Sequence, residues 1–127
     1  MNYRLDKYGN KISILGFGCM RFAQKKGKID MEQTERQIMS AFQAGVNYYD
    51  TAYIYSGSEA AIGEIFAKHG IREQLYIATK LPHYLIKNET KLETLFAEQL
   101  KRLQTNYTDY YLIVWDFINY AKTHDIP

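Results

Sequence analysis

The beginning of the chain combines an alternating pattern with a short apolar run. Hydrophobic and polar residues alternate over 3–5 and again over 12–14, and the turn-forming sequence Lys-Tyr-Gly-Asn lies between them at 7–10. Alternation on both sides of a Gly/Asn turn predicts a β-hairpin. The run at 14–20 is apolar and contains two glycines. It indicates a buried strand that leads into a loop where backbone or ligand passes close by.

Apolar residues then recur at helical spacing in successive segments. Asp30 can cap a first helix, with Gln33 in the reciprocal capping-box position, and Gly45 suits the left-handed residue that ends a helix. A second helix is predicted to open at Ser58 and to stop at Gly70. The pattern therefore places two amphipathic helices in the first half of the chain.

A third helix has the clearest apolar stripe, and Asn88 can cap it. A shorter amphipathic piece at 117–121 suggests a last helix, whereas the lysine-rich stretch 24–28 is expected to be a solvated turn. The stripe of the third helix consists of Leu92, Leu95, Phe96, Leu100 and Leu103.

Four strand-like runs alternate with these helices. Each interval between them contains one amphipathic helix, and strands joined by helical crossovers run parallel. The pattern predicts an α/β fold with about four strand-helix units behind an N-terminal hairpin, in a single domain over 1–127. The strands end near Met20, Asp50, Lys80 and Val114, at spacings of 30, 30 and 34 residues.

Composition and charge narrow the classes of protein. The chain is 46% hydrophobic and 24% charged, as in soluble globular proteins, and its net charge of +2 is too small to suggest a nucleic-acid or membrane surface as the main partner. No apolar run approaches the roughly 18 residues of a membrane span. With one cysteine, Cys19, and no leader-like start, we expect a cytoplasmic protein.

Polar residues at the strand ends carry the chemical information, because the carboxyl ends of parallel strands meet at one mouth. Asp50 ends the second strand, Tyr55 follows it by five residues, and Lys80 ends the third strand. A phenol is a poor acid near neutrality, but a neighbouring ammonium lowers its pKa. The trio therefore predicts a proton donor, a tuning cation and a carboxylate that positions that cation.

The same residues also have an ordinary interpretation. A strand-terminal aspartate often caps a turn, a lysine after a strand is often solvated, and a chain with twelve tyrosines places some of them near loops by chance. Spacing alone leaves both interpretations open.

Several segments closely resemble the aldo/keto reductase family, in matching order from about residue 3 to 113. The resemblance implies a TIM (β/α)8-type barrel, NADPH as the hydride donor, and an oxidoreductase that reduces an aldehyde or ketone. The matching segments are GFGCMR at 16–21, GVNYYDTAYIY at 45–55, SE at 58–59, IG at 62–63, IATKL at 77–81, LQT at 103–105 and DYYL at 109–112.

The resemblance also assigns roles to single residues. Asp50, Tyr55 and Lys80 match three of the family's four catalytic positions, with Tyr55 as the proton donor. Residues at the end of the first strand face the nicotinamide and the substrate in this family. The residues implied in cofactor binding are Gly18, Cys19, Met20 and Asp50, and no metal is implied.

One departure concerns the fourth catalytic position, a histidine that ends the fourth strand of the family. Val114 stands there and has no hydrogen-bond donor to orient a carbonyl. His69 and His124 match no strand end, whereas His83 follows Pro82 in a loop that can approach the mouth. This departure makes catalysis by the chain an open question.

The second departure is length, because a barrel of this type takes about 250 residues and the sequence holds about its first half. Phosphates in such barrels are often held by loops after the seventh and eighth strands. A half-barrel also exposes two sheet edges and an apolar face, so we expect self-association. Two functions result: an NADPH-dependent reductase of a small carbonyl substrate, or a catalytically inactive half-barrel remnant or self-assembly module.

Overall fold

The computed structural model describes residues 1–113 and has at its centre a sheet of four parallel strands, in the order Phe17–Gly18, Tyr48–Asp50, Tyr76–Leu81 and Tyr110–Ile113. Helices connect the strands, so the predicted α/β fold of strand-helix units is confirmed. The strands are β1 (Tyr3–Leu5), β2 (Lys11–Ser13), β3 (Phe17–Gly18), β4 (Gln24–Lys25), β5 (Lys28–Ile29), β6 (Tyr48–Asp50), β7 (Tyr76–Leu81) and β8 (Tyr110–Ile113). The helices are α1 (Met31–Gln43), α2 (Ser58–His69) and α3 (Glu89–Arg102), with 3₁₀ turns at Arg72–Gln74 and His83–Leu85.

The hydrophobic core lies between the sheet and its helices. Tyr49 and Ile77 are fully buried neighbours on adjacent strands, and both point away from the face that carries Asp50. The Tyr49 ring packs edge-on against Phe66 of α2 at 5.1 Å between centroids. Because side chains alternate along a strand, this packing leaves Asp50 on the opposite, inner face of the sheet.

The inner face is lined by tyrosines at the amino ends of the strands. Tyr48 lies opposite Tyr76, and the Tyr110 ring is 5.6 Å from the Tyr48 ring and 6.4 Å from the Tyr76 ring. All three side chains are half-buried. The three rings therefore cover part of the inner face of the sheet, which was expected to be an exposed apolar surface. Leu112 on β8 remains exposed on that face.

The N-terminal hairpin is confirmed and packs against the amino end of the sheet. Strands β1 and β2 pair antiparallel, with Gly9 at a φ of 85° in the turn. Asp6 accepts hydrogen bonds from the Asn10 side chain at 2.9 Å and from the Tyr110 hydroxyl. This contact fixes the hairpin to β8, the last strand of the sheet.

We predict that this contact makes stability depend on pH. The hydrogen bond from Tyr110, followed by those from Asn10 and Tyr8, lowers the pKa of Asp6 from 3.8 to about 2. A lowered folded-state pKa contributes stability that is complete above about pH 4 and is lost as the pH falls towards 2. Urea unfolding between pH 5 and 2 should therefore show a shallower loss of stability in Asp6→Asn than in the wild type. Equal slopes for the two proteins would contradict the prediction.

The first helix begins at the predicted cap. Asp30 accepts a hydrogen bond from the Gln33 amide at 3.1 Å, but its own amide donates to the Ala23 carbonyl at 2.8 Å, not to the Gln33 side chain. The capping box is therefore half-formed. The predicted left-handed Gly45 follows the end of the helix with a φ of 90°.

Two local features add detail to the predictions. The stretch 24–28 is exposed, as expected of a solvated turn, and β4 and β5 also pair in a small hairpin across Lys26 and Gly27, whose φ angles are 53° and 75°. Two successive positive φ angles are typical of a tight hairpin turn. Helix α2 opens at Ser58, as predicted, but without a side-chain cap: the left-handed Gly57 precedes the helix, and the Ser58 hydroxyl donates to the Cys19 carbonyl in the first strand-helix loop.

The other helix ends agree with the sequence. Gly70 ends α2 in the left-handed conformation, and Asn88 caps α3 by accepting a hydrogen bond from the Lys91 amide at 2.8 Å. Leu95 and Leu103 of the predicted stripe are buried, whereas its other three members, Leu92, Phe96 and Leu100, are half-buried.

Strand β6 ends at Asp50, as predicted, whereas two other strand ends differ from the expected ones by one or two residues. Strand β3 stops at Gly18, two residues before Met20, and β7 continues one residue past Lys80. Val114 and the helix expected over 117–121 lie outside the described residues. None of the helices in the described part of the chain has the length and apolar character needed to cross a membrane.

Candidate active site

The ends of β6 and β7 bring Asp50 and Lys80 together. In the parallel register Asp50 lies opposite Ala78, and Lys80 follows on the same face of β7. The Lys80 Nζ donates to Asp50 Oδ2 at 2.6 Å. A strand-terminal carboxylate and ammonium thus form a charge-assisted pair on the inner face, as the spacing predicted.

The Lys80 ammonium is largely shielded from solvent, with a side chain 17% exposed. Besides Asp50 it donates to the Thr51 carbonyl at 2.8 Å. Removing an ammonium from water is costly unless charge and hydrogen bonds compensate it. The end of β6 supplies the compensating charge through Asp50, and the next residue, Thr51, supplies a carbonyl acceptor.

Tyr55 reaches the same rim from the turn that follows β6. Its amide donates to the Ala52 carbonyl at 3.1 Å, and its carbonyl accepts from the Ser58 amide at 2.9 Å, so the turn is tied to both its ends. The Lys80 Nζ lies 5.0 Å from the centroid of the Tyr55 ring. Within residues 1–113 the two side chains share no hydrogen bond and meet as a cation over the face of an aromatic ring.

A small cavity lies beside this trio, and we call it the rim cavity. Its volume is about 200 Å³. Among residues 1–113, Lys80 is the one charged residue in its wall, which otherwise presents aliphatic groups, a proline and two phenol rings. The lining residues are Ala52, Ile54, Tyr55, Lys80, Leu81, Pro82 and Tyr84.

The first strand-helix loop contributes unequally to the rim. Gly18 lies opposite Asp50 in the sheet, and a Cβ placed on it would meet no heavy atom within 4 Å. Met20 is 59% exposed. Cys19 is fully buried in the core, and burial raises the pKa of its thiol. Gly18 and Met20 therefore border open space, whereas the Cys19 side chain points away from it.

Cys19 instead links two loops through its backbone. Its amide donates to the Asp50 carbonyl at 2.8 Å, and its carbonyl accepts from the Ser58 hydroxyl at 2.7 Å. The same hydroxyl lies 2.8 Å from Thr51 Oγ1. The first strand-helix loop therefore holds the backbone of Asp50 in place. The Ser58 hydroxyl connects this loop to Thr51 and does not cap α2.

The described histidines do not join the trio. His69 ends α2 and contacts Glu35 of α1 at 2.6 Å on the outer surface. The His83 ring packs edge-on against Tyr84 at 5.8 Å, and its buried Nδ1 makes no hydrogen bond within residues 1–113. His83 does not line the rim cavity. Val114 and His124 lie outside the described residues.

Sequence reasoning missed a buried polar network behind Lys80. Glu59 of α2 is 1% exposed and Gln99 of α3 is fully buried. The Glu59 carboxylate accepts from Thr79 Oγ1 at 2.6 Å and from Gln99 Nε2 at 2.7 Å. One signal was available: Gln99 is a polar residue one helical turn after Leu95 and before Leu103, in the middle of the apolar stripe.

The model of the aldo/keto reductase family matches residues 14–123. An aldo-keto reductase of Mycobacterium sp. (strain MCS) is 35% identical over 118 residues, which cover 92% of this chain and 38% of that protein. The chain thus spans a little over a third of the length of this curated relative.

Solved structures show the same fold over part of their length. The aldo-keto reductase AKR11C1 from Bacillus halodurans, in its holo form, has a TM-score of 0.73 at 26% identity and covers 99% of this chain and 48% of that protein. An aldo-keto reductase from Klebsiella pneumoniae in complex with NADPH has a TM-score of 0.75 at 21% identity and covers 90% and 39%. The described sheet and helices therefore correspond to part of a TIM-type barrel.

Proposed function

Because the chain belongs to the aldo/keto reductase family, we propose that the protein is an oxidoreductase that uses NADPH to reduce an aldehyde or ketone, with Tyr55 as proton donor. The observation that carries the proposal is the convergence of three groups at one rim. The Lys80 ammonium lies 2.6 Å from the Asp50 carboxylate and 5.0 Å from the centre of the Tyr55 ring.

Tyr55, Lys80 and Asp50 have different roles in the proposed carbonyl reduction. NADPH, when bound, supplies the hydride that adds to the carbonyl carbon. The Tyr55 hydroxyl gives its proton to the carbonyl oxygen, so that an alcohol and oxidised cofactor result. The Lys80 cation stabilises the negative charge left on the phenol oxygen, and Asp50 keeps that cation in place.

The end of β3 supports binding of the flat nicotinamide end of the cofactor. A side chain on Gly18 would occupy space that is open in the structure. Gly18, Met20 and Asp50 border this space and would contact the ring. Cys19 would contribute only through its backbone, because its side chain is buried.

The rim cavity supports a small substrate with an apolar substituent. Its wall combines Ile54, Leu81 and Pro82 with the Tyr84 ring, and Lys80 is the one charged residue that the described part of the chain places there. The almost wholly apolar wall favours an aliphatic or aromatic group on the carbonyl carbon. We therefore propose an apolar aldehyde or ketone as the substrate class.

Native mass spectrometry with and without NADPH tests cofactor binding. We expect the wild type to carry one NADPH per chain at concentrations up to about 1 mM, the top of the usual KM range. Gly18→Val should lose the bound cofactor, because its side chain fills the open space beside Asp50. Ala97→Val on the exposed surface of α3 is the matched control and should keep it.

The same spectra count subunits and separate the two candidate functions. Strands β3 and β8 form the two edges of the sheet within residues 1–113, and exposed edges favour association. Particles with several chains and bound NADPH fit a reductase that self-associates. Particles with several chains that never bind NADPH would instead favour the inactive self-assembly module and contradict the proposed reductase.

A further inference from the structure

Gln99 connects four elements of the fold through one buried amide group. Its Nε2 donates to Glu59 Oε1 at 2.7 Å on α2, and lies 3.1 Å from Thr79 Oγ1 and 3.2 Å from the Lys80 carbonyl on β7. Its Oε1 accepts from the Tyr111 hydroxyl on β8 at 2.7 Å. A fully buried amide with every polar atom engaged holds its partners in one arrangement.

The orientation of the amide is fixed by its neighbours. A carboxylate such as Glu59 and a backbone carbonyl such as that of Lys80 can only accept hydrogen bonds. The nitrogen of Gln99 must therefore face Glu59 and Lys80, and its oxygen must face Tyr111. Burial, and then the nearby Glu59 charge, raise the pKa of Tyr111 to about 12, which keeps its hydroxyl protonated as a donor.

The hydrogen bond from Gln99 to the Lys80 carbonyl takes the place of a strand-pairing hydrogen bond that β6 is too short to supply. The Ala78 carbonyl accepts from the Thr51 amide at 2.8 Å, at the point where β6 ends. Carbonyls two residues apart point to the same edge of a strand, so the Lys80 carbonyl also points to that edge, beyond the end of β6. Gln99 supplies the donor there, and β8 pairs with the other edge of β7 at Leu112.

Glu59 anchors this arrangement from behind the sheet. Its Oε1 receives both Thr79 and Gln99, and its Oε2 lies 3.4 Å from the Arg102 guanidinium. A carboxylate that is 1% exposed needs its donors, so the loss of one of them disturbs the others. The buried Glu59 carboxylate thus holds the Gln99 amide group, which in turn donates to the Lys80 carbonyl.

We propose that Gln99, held by Glu59, is a positioning residue that keeps the end of β7 in place and thereby sets the Lys80 ammonium against Asp50 and Tyr55. The role of the ammonium in carbonyl reduction rests on the proposed function, whereas its position does not. The side-chain amide of Gln99 makes no hydrogen bond to Asp50 or Tyr55. Its effect on the rim is transmitted through the backbone of Lys80.

The ammonium signal of Lys80 tests this proposal without any need for turnover. In ¹⁵N-lysine-labelled full-length chain, the Lys80 ammonium should give a resonance protected from solvent exchange, because it donates to Asp50 and Thr51; Lys80→Arg assigns it. We expect Gln99→Met to lose this resonance. Leu95→Ala, a buried change one helical turn away, should keep it. A resonance that is unchanged in folded Gln99→Met would overturn the proposal.

A second pair of variants covers the case in which Gln99→Met does not fold. Replacing Glu59 and Gln99 together by methionine removes both polar partners and is better tolerated than leaving one unpaired. The double variant should also lose the Lys80 resonance, and its retention would overturn the proposal. Glu59→Gln keeps an acceptor oxygen for Gln99 and should preserve the resonance, whereas Glu59→Met should not.

Kinetics separate this proposal from the proposed function. If the wild type reduces a carbonyl with NADPH, Gln99→Met should lower kcat while KM for the carbonyl changes little, because the ammonium acts on charge that develops in the transition state. A wild type without turnover would contradict the reductase, yet the Lys80 resonance would still decide the role of Gln99.

Discussion

Replacing Tyr55 by phenylalanine is expected to lower kcat for NADPH-dependent carbonyl reduction by about 10²–10⁴-fold, the usual contribution of a positioned general acid. The substitution removes one hydroxyl and keeps the ring that packs beside Lys80 and lines the rim cavity. Cofactor binding should therefore change little, and KM for an apolar carbonyl should stay close to that of the wild type. Initial rates of NADPH oxidation, followed by absorbance, measure the effect.

Tyr53→Phe provides the matched control for this prediction. The Tyr53 hydroxyl lies 3.4 Å from Glu98 on α3, and its ring stacks on Arg102 at 4.3 Å, away from the rim cavity. The same chemical change two residues from Tyr55 should leave the rate unaltered. Equal rates for Tyr55→Phe and the wild type would show that another group delivers the proton.

The parts of the fold that depend on short-range signals could be predicted from the sequence. Asp30 and Asn88 cap helices because each reaches an amide three residues away, and such contacts depend only on local order. The regular spacing of strand ends similarly predicted that Asp50 and Lys80 would meet. Their 2.6 Å contact depends on parallel pairing, which helical crossovers impose.

Features that depend on long-range contacts could not be predicted. Serine is a common helix-capping residue, but the Ser58 hydroxyl donates a hydrogen bond to the Cys19 carbonyl, 39 residues earlier in the chain. Gln99 reads as a break in an apolar stripe until Glu59, 40 residues earlier, supplies its partner. The strand-end pattern suggested Tyr55 as a proton donor, but twelve tyrosines give spacing little discrimination, and the family resemblance was needed to favour that role over a chance position.

The close approach of α2 to the end of α3 leads to the second large prediction, Gly63→Ala. A Cβ on Gly63 would overlap the Arg102 carbonyl oxygen and would lie 2.6 Å from the Leu103 carbonyl carbon. Both are backbone atoms, so relief requires the two helices to move apart. Alanine usually stabilises a helix by about 1 kcal/mol relative to glycine, but overpacking costs about 1–3 kcal/mol and occasionally more.

We expect the steric cost to exceed the helix gain at Gly63, because the overlap is with main chain that no rotamer change can relieve. The free energy of unfolding in urea should fall by about 2 kcal/mol. Gly18→Ala is the control for stability, since its Cβ meets no atom within 4 Å, and it should stay within about 0.5 kcal/mol of the wild type. Gly63→Ala as stable as Gly18→Ala would contradict the prediction.

The same substitution connects stability to the site. Glu59 lies on α2 one turn before Gly63, and Gln99 lies on α3 one turn before Leu103. Any movement that separates the helices at Gly63 lengthens the 2.7 Å hydrogen bond between Glu59 and Gln99. Folded Gly63→Ala should therefore also weaken the protection of the Lys80 ammonium, as Gln99→Met does. Full protection of that ammonium in folded Gly63→Ala would mean that helix packing and the position of Lys80 are independent.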